Sequence, residues 1–260
     1  MVHRTVYLHG LPGSPAELLL GGERSRWLDP TRVLAPNRSG LDGTRAVVIS
    51  RLASQIERWA EGAPVNLVGF SLGGAIALDL ALVLQDQVQR IDLVAPAAPL
   101  SLGSFLDAMA GGPLFRMAKD HPRGFAVAAL LQGWAARWAP GLMVKALLAD
   151  VRGEDRSLTA SPTFRKMLRT VLKDTFERGS APYRDEVRHF VMDCGAGLEQ
   201  VTQPVFIWQG DQDNWVPLAM AEALASALPA GASLTLLPGL SHYSALAWFL
   251  NQFSPDGSRR

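Results

Sequence analysis

The sequence contains a single cysteine, Cys194, among its 260 residues. One cysteine excludes an intramolecular disulfide and a metal site built from several cysteines. The N-terminal residues Met1-Val2-His3-Arg4 are not followed by the long apolar run of a secretory signal peptide. Because disulfides are rare in reducing compartments and no leader is evident, we expect a cytoplasmic protein.

The sequence also lacks an excess of charge of either sign and an apolar run long enough to span a membrane. The chain has 25 Lys and Arg against 24 Asp and Glu, a net charge of +1, and its basic residues are scattered. Nucleic acid is therefore not an expected partner. The apolar stretch at residues 62–78 carries no charge, but it includes Pro64 and Asn66 and is short for a membrane span. We expect a protein without a membrane span that acts on a small molecule, and the sequence leaves its oligomeric state open.

Short apolar runs alternate with helical patterns along most of the chain. Apolar residues make up 48% of the sequence and charged residues 19%, which is sufficient for the core of one domain. Near-continuous apolarity is typical of strands buried on both faces of a parallel sheet. We predict strands at 5–8, 32–35, 65–70, 91–95, 205–209 and 233–237, and helices at 45–61, 72–85, 217–227 and 242–253. This alternation predicts an α/β fold with a doubly wound, mostly parallel sheet.

Residues 100–200 interrupt that alternation, because no convincing buried strand lies within them. The segments 124–138 and 161–178 are helix-prone, and prolines divide the region into short helices. A long helical insertion between two strands is typical of a lid, although an ordinary helical layer would give the same pattern. We therefore expect an α/β core formed by residues 1–99 and 201–260, with a helical lid formed by residues 100–200.

The chain contains one Gly-x-Ser-x-Gly motif, Gly69-Phe70-Ser71-Leu72-Gly73. A predicted strand ends at Phe70 and a predicted helix begins at Leu72, so Ser71 lies on a sharp strand-to-helix turn. Such a turn presents the serine hydroxyl above the sheet as a nucleophile. The glycines leave room for the turn, and the helix N-terminus favours negative charge beside it. We predict Ser71 as the nucleophile, the alternative being a glycine-rich turn with an incidental serine.

A base and an orienting acid follow two later strands. His242 comes after the last predicted strand, on the edge where the carboxyl ends of parallel strands share one crevice with Ser71. It is predicted as the base that activates the serine, the alternative being an exposed histidine at a helix start. Asp211 and Asp213 both follow the strand at 205–209, and either could orient the imidazole. Spacing alone does not choose between them.

Two backbone N–H groups are needed to hold an oxyanion. One is expected from Leu72, directly after the predicted nucleophile. The other is expected from Leu11, in the loop after the first strand, because the neighbouring Pro12 has no N–H. His9, at the start of that loop, is interpreted as a structural residue packed beneath the turn.

Taken together, these motifs resemble the signature of the α/β-hydrolase superfamily, in particular its serine esterase and lipase members with a helical lid. The matching blocks are His9-Gly10-Leu11-Pro12-Gly13, Gly69-Phe70-Ser71-Leu72-Gly73-Gly74, Gly210-x-x-Asp213-x-x-Val216-Pro217 and Gly239-x-x-His242. The resemblance implies that Asp213 rather than Asp211 is the acid, because Val216-Pro217 follows Asp213 at the family's spacing.

The chain departs from the superfamily pattern at three places. It begins at what corresponds to the third strand, so we expect the first two antiparallel strands to be missing. Residues 36–40 lack the Asp-x-x-Gly-x-Gly pattern of many members. Leu11 stands where proline-specific aminopeptidases carry glycine, which argues against that activity. A serine at position 71 also argues against epoxide hydrolases and haloalkane dehalogenases, which use aspartate there.

The resulting hypothesis is hydrolysis of a carboxylic ester of a small or apolar acyl group through an acyl-enzyme. The triad supplies its own acid and base, so neither a metal nor an organic cofactor is expected. Apolar residues of the lid are candidates for the pocket, although each could instead belong to the lid core: Phe105, Met109, Phe115, Met117, Trp134 and Trp138. The same triad could act on an amide, a thioester or a carbon–carbon bond, or transfer the acyl group. A non-catalytic ligand-binding protein on the same fold is the remaining alternative.

Overall fold

The computed structural model describes residues 4–193, 195, 197–229 and 231–259. The predictions made from His3 and Cys194 lie outside these residues. Six strands form one sheet, in the spatial order β2-β1-β3-β4-β5-β6. Their bounds are β1 (Arg4–Leu8), β2 (Val33–Leu34), β3 (Val65–Phe70), β4 (Val88–Val94), β5 (Val205–Gly210) and β6 (Ser233–Leu237).

Every neighbouring pair of strands in the sheet is parallel. The chain passes from β1 to β2 on one side and then crosses back to β3 on the other. The loops after β1 and β3 therefore diverge, and they open the crevice in which sheets of this kind bind ligands. The α/β prediction is confirmed.

The sheet core lies in the central strands. All six residues of β3 are buried, and four of the five residues of β1 are buried. Near-continuous apolar runs mark strands that are covered on both faces. This burial explains why β1 and β3 could be recognised from the sequence.

β1 and β5 each extend one residue beyond their predicted bounds, and β2 and β4 differ more. The predicted strand at 32–35 is reduced to Val33–Leu34. β4 begins at Val88, three residues before the predicted start. The prediction missed these residues because Gln89 and Arg90 break the apolar pattern. There Arg90 forms an ion pair with Asp92 and stacks over the Phe206 ring, so a charged pair replaces the expected apolar pattern.

Four helices pack around the sheet: α1 (Arg45–Ala60), α2 (Gly73–Leu84), α9 (Leu218–Ala227) and α10 (His242–Gln252). α1 is amphipathic, with buried Ile49, Leu52 and Ile56 on one stripe. The Thr44 side chain caps α1 by accepting a hydrogen bond from the Val47 N–H. α2 is buried almost all round, which is typical of a central helix.

Six α-helices are described between β4 and β5: α3 (Gly112–Asp120), α4 (Pro122–Trp138), α5 (Pro140–Leu147), α6 (Asp155–Ala160), α7 (Pro162–Thr175) and α8 (Ala181–Asp193). We refer to residues 100–200 as the helical insertion. Pro122, Pro140 and Pro162 each begin a helix. At the first position of a helix a backbone N–H has no acceptor within the helix, so proline, which lacks that N–H, breaks no hydrogen bond there. Among the described helices, none combines the length and apolarity that crossing a membrane would require.

Candidate active site

Ser71 lies on a strained turn between β3 and α2. Its φ is +53°, in the left-handed region that residues other than glycine rarely adopt. Backbone hydrogen bonds hold the turn: the Ser71 N–H donates to Val94 O over 3.0 Å, and Ser71 O accepts from the N–H groups of Gly74 and Ala97 over 3.0 and 3.1 Å. The hydroxyl is thereby held at the carboxyl edge of the sheet.

The two glycines of the motif are required by close backbone approach. A Cβ atom on Gly69 would lie 2.6 Å from Gly74 Cα, and one on Gly73 would lie 2.0 Å from Leu8 O. Both distances are far below van der Waals contact, and both neighbours are backbone atoms that cannot turn aside. The Gly-x-Ser-x-Gly spacing therefore follows from the packing of the turn against β1 and α2.

His242 and Asp213 are joined by a hydrogen bond of 2.7 Å between Nδ1 and Oδ2, and both side chains are buried. A carboxylate can only accept, so Nδ1 carries the proton and Nε2 is left as an acceptor. The other oxygen of Asp213 accepts from the N–H groups of Trp215 and Val216 over 2.8 and 2.9 Å. Asp211 is exposed and instead accepts from the Gly239 N–H. Of the two candidate aspartates, the structure brings Asp213 to the imidazole.

Opposing influences act on the pKa of His242. Burial lowers this pKa, but the charge of Asp213 and its hydrogen bond outweigh burial, so the pKa lies above its ordinary value. The carboxyl groups of Asp155 and Glu17 contribute in the same upward direction. The ring also packs against Phe70, with 4.6 Å between the ring centroids.

A cavity of about 340 Å³ lies between the carboxyl edge of the sheet and the helical insertion. Ser71, His242, Leu11 and Leu72 all line this cavity. Within the described residues, the Ser71 hydroxyl and the backbone N–H groups of Leu11 and Leu72 make no hydrogen bond. Contacts between a nucleophile and its base commonly tighten only once substrate is bound.

The walls of the cavity are mostly apolar. They include Met109, Leu114, Phe115, Met143, Leu147, Phe176 and Val187, with Gln132 and Tyr183 as polar members. Of the pocket residues expected from the sequence, Met109 and Phe115 are among these walls. Gln132, Tyr183 and Phe176 were not singled out in the sequence, because nothing in their local pattern shows which way they face.

Four of the expected pocket residues lie elsewhere. Trp134 and Trp138 are 62% and 67% exposed and lie with Leu130 on an outward apolar face of α4. α4 is apolar on more than one side, so its sequence does not show which side faces inward. Phe105 is buried against Gly103 rather than in the cavity wall, and Met117 is partly exposed.

A buried polar layer supports the loop after β1. His9 Nε2 accepts from the Arg38 N–H over 3.1 Å, and Nδ1 lies 2.8 Å from Gly10 O. Burial and the nearby Arg38 guanidinium hold the pKa of His9 well below its ordinary value, so the ring is neutral. These contacts agree with a structural role for His9.

Glu17 is a second member of this layer that the sequence did not reveal. It is fully buried, and its Oε2 accepts from Tyr7 Oη over 2.7 Å and from the Gly10 N–H over 3.1 Å. Burial raises its pKa to about 7, although hydrogen bonds from Tyr7 and Gly10 oppose the rise. Across the described part of the chain, no group of three or more His, Cys, Asp or Glu side chains is placed to hold a metal ion.

Comparison with known proteins identifies the family to which this chain belongs. The model of the alpha/beta hydrolase family matches residues 5–252, and the chain belongs to this family. It is 36% identical over 110 residues to lipase LipV of Mycobacterium tuberculosis, and 26% identical over 234 residues to a pimeloyl-[acyl-carrier protein] methyl ester esterase of Neisseria meningitidis serogroup B. These matches cover 40% and 82% of this chain, but 37% of the lipase and 76% of the esterase.

The fold is also similar to solved structures at low sequence identity. An esterase from Thermogutta terrifontis superposes with a TM-score of 0.63 at 17% identity, covering 95% of this chain and 85% of the other. At that identity the likeness concerns the fold alone.

Proposed function

We propose that the protein is a serine esterase that hydrolyses carboxylic esters with an apolar acyl group. The observation that carries the proposal is that Ser71 and the Asp213-bound His242 line the same apolar cavity. Two relatives are named as a lipase and a methyl ester esterase, which favours an ester over other acyl compounds as the substrate.

In the proposed mechanism, Ser71 Oγ attacks the ester carbonyl carbon while His242 Nε2 takes the hydroxyl proton. The backbone N–H groups of Leu72 and Leu11 donate to the oxyanion that forms. Asp213 keeps the Nδ1 proton in place and stabilises the imidazolium. The ester C–O bond then breaks, the alcohol leaves with the proton from Nε2, and an acyl-enzyme remains.

Water completes the cycle with His242 as its base. It attacks the acyl carbon and gives a proton to Nε2. The bond between the acyl carbon and Ser71 Oγ then breaks, Oγ takes that proton back from Nε2, and the carboxylic acid leaves. The helical insertion, residues 100–200, acts as a lid in this proposal, because it supplies the apolar walls above Ser71. Every proton is moved by the side chains of the triad, so the proposed cycle uses neither a metal nor an organic cofactor.

The test is turnover of p-nitrophenyl esters of rising acyl length, with labelling by a fluorophosphonate probe. The wild-type protein is expected to hydrolyse them and to be labelled, and Ser71→Ala is expected to lose both properties. Ser101→Ala, at an exposed serine, is the matched control and should behave as wild type. Folded wild-type protein that hydrolyses none of the esters, or a Ser71→Ala variant with undiminished turnover, would overturn the proposal.

A further inference from the structure

One short segment of the helical insertion, residues 150–155, contacts both of the loops that carry Asp213 and His242. The Asn214 side-chain amide, next to Asp213, donates to Asp150 O over 2.7 Å. The Glu154 N–H donates to Gly239 O over 3.0 Å, in the loop before His242. One segment of the insertion is thus bonded to both loops.

The closest of these contacts is made by Asp155, the first residue of α6. Its side chain accepts from the Tyr243 N–H over 3.0 Å and from the Ser244 N–H over 2.6 Å. These N–H groups belong to the first turn of α10, where no helical acceptor exists. A carboxylate at this end also interacts favourably with the helix dipole. His242 is the first residue of the same turn.

The approach of the segment to these loops depends on Gly153. Its φ is +48°, and a Cβ atom there would lie 2.5 Å from Gly239 O and 2.8 Å from Gln212 Cβ. The segment therefore approaches these two loops at a position that only glycine fits. Asp155 itself is 1% exposed, so its contacts with α10 are made away from solvent.

We propose that Asp155 is a positioning residue, which holds the first turn of α10 so that His242 stays aligned between Asp213 and Ser71. This inference rests on the proposed esterase function. It makes the geometry of the base depend on the helical insertion, although the insertion contributes no side chain to the triad. The Ser241–Ser244 capping box completes the same turn from within α10.

The charge of Asp155 adds an electrostatic effect to the positional one. The titratable groups around the imidazole are Asp213, Asp155, Glu17 and the Tyr243 hydroxyl. Asp155 raises the pKa of His242, as Asp213 and Glu17 do. Burial in turn raises the pKa of Asp155, against the effect of its hydrogen bonds to Ser244 and Tyr243. Removing the Asp155 charge should therefore lower the pKa of His242.

The experiment compares Asp155→Asn with Asp120→Asn, a control at an exposed carboxylate of the same insertion. The readouts are kcat, KM and the acid limb of kcat/KM against pH for p-nitrophenyl butyrate. For Asp155→Asn we expect kcat to fall about 10- to 100-fold with KM within about threefold, since a small displacement of a catalytic group has an effect of that size. We also expect the acid limb to move to lower pH, because that limb reports the pKa of the catalytic base in the free enzyme. Asp120→Asn should match wild type.

Asp155→Glu separates position from charge, and it remains informative if Asp155→Asn does not fold. It keeps the carboxylate but lengthens the side chain, so kcat should fall while the acid limb stays near that of wild type. Either a folded Asp155→Asn with wild-type kcat and acid limb, or Asp155→Glu with wild-type kcat, overturns the inference. Wild-type protein inactive on every ester would instead count against the esterase proposal itself, so the two failures are distinguishable.

Discussion

The carboxyl group of Glu17 accepts a hydrogen bond from the backbone N–H of Gly10 over 3.1 Å. Gly10 directly precedes Leu11, which lines the cavity, so a buried acid supports one side of the proposed oxyanion hole. The same carboxyl group accepts from the Tyr7 hydroxyl. The loop after β1 is therefore held from beneath by a group that can itself lose a proton.

Glu17 should make the free energy of unfolding depend on pH. Its pKa is about 7 in the folded protein against an ordinary value of 4.5, so the folded state holds this proton more tightly. Stability should therefore fall as pH rises from 4.5 to 7, by about 3 kcal/mol in total for this group. Glu17→Gln has no proton to lose, so its stability relative to wild type should increase by that amount across the window.

The measurement is urea denaturation of both proteins at pH 4.5 and pH 8. Comparing the two proteins cancels the effect of His9, whose low pKa acts equally in both. A difference in unfolding free energy that is the same at both pH values would show that Glu17 does not retain its proton.

Gly73→Ala should destabilise the protein strongly. The new Cβ atom would lie 2.0 Å from Leu8 O, so β1 and α2 would have to separate. We expect a loss of about 3 kcal/mol or more in unfolding free energy. Gly124→Ala is the matched control, because a Cβ atom there lies 3.9 Å from its nearest neighbour, and alanine favours a helix. Equal denaturation midpoints for the two variants would contradict the packing argument.

The parts of the fold that could be predicted are those with a local pattern. β3, Ser71 and α2 follow one another as an apolar run, a glycine-rich turn and a helical pattern, and the structure has the same succession. The buried acids Glu17 and Asp155 could not be predicted, because their burial comes from segments distant along the chain. Glu17 lies in the short 3-10 helix Pro15–Gly21, which packs against α7 and α10, and Asp155 reaches α10 across 88 residues.

The expectation that Trp134 and Trp138 of α4 line the pocket differs from the structure for a related reason. Phe125 and Ala129 are buried on one side of α4, while Leu130 and Trp134 are exposed on another. Both sides are apolar, so helical periodicity does not indicate which of them faces the cavity. Only the packing of α4 against its neighbours in the insertion decides it.

Asp213→Asn should reduce kcat by about 10⁴-fold, the size of effect seen when the orienting acid of such a triad becomes an amide. The amide would donate to His242 Nδ1 and move the ring proton to Nε2, which could then no longer accept from Ser71. Asp211→Asn is the control, because Asp211 is exposed and its contact to the Gly239 N–H needs only an acceptor oxygen. Its kcat should stay within a few-fold of wild type, and similar losses in both variants would show that Asp213 has no special role.

The walls of the cavity should determine which acyl chains are accepted. Leu114 is half-buried in the wall, so Leu114→Trp should narrow the space without leaving a void in the core. We expect the ratio of kcat/KM for p-nitrophenyl octanoate to that for the acetate to fall at least about tenfold, since even one methylene in an apolar pocket is worth that much. Trp134→Ala removes a larger apolar side chain from the exposed face of α4, away from the cavity, and should leave the ratio unchanged. A ratio that responds to Trp134 and not to Leu114 would mean that the acyl chain binds on the outer face of the insertion, and the cavity would lose its proposed role.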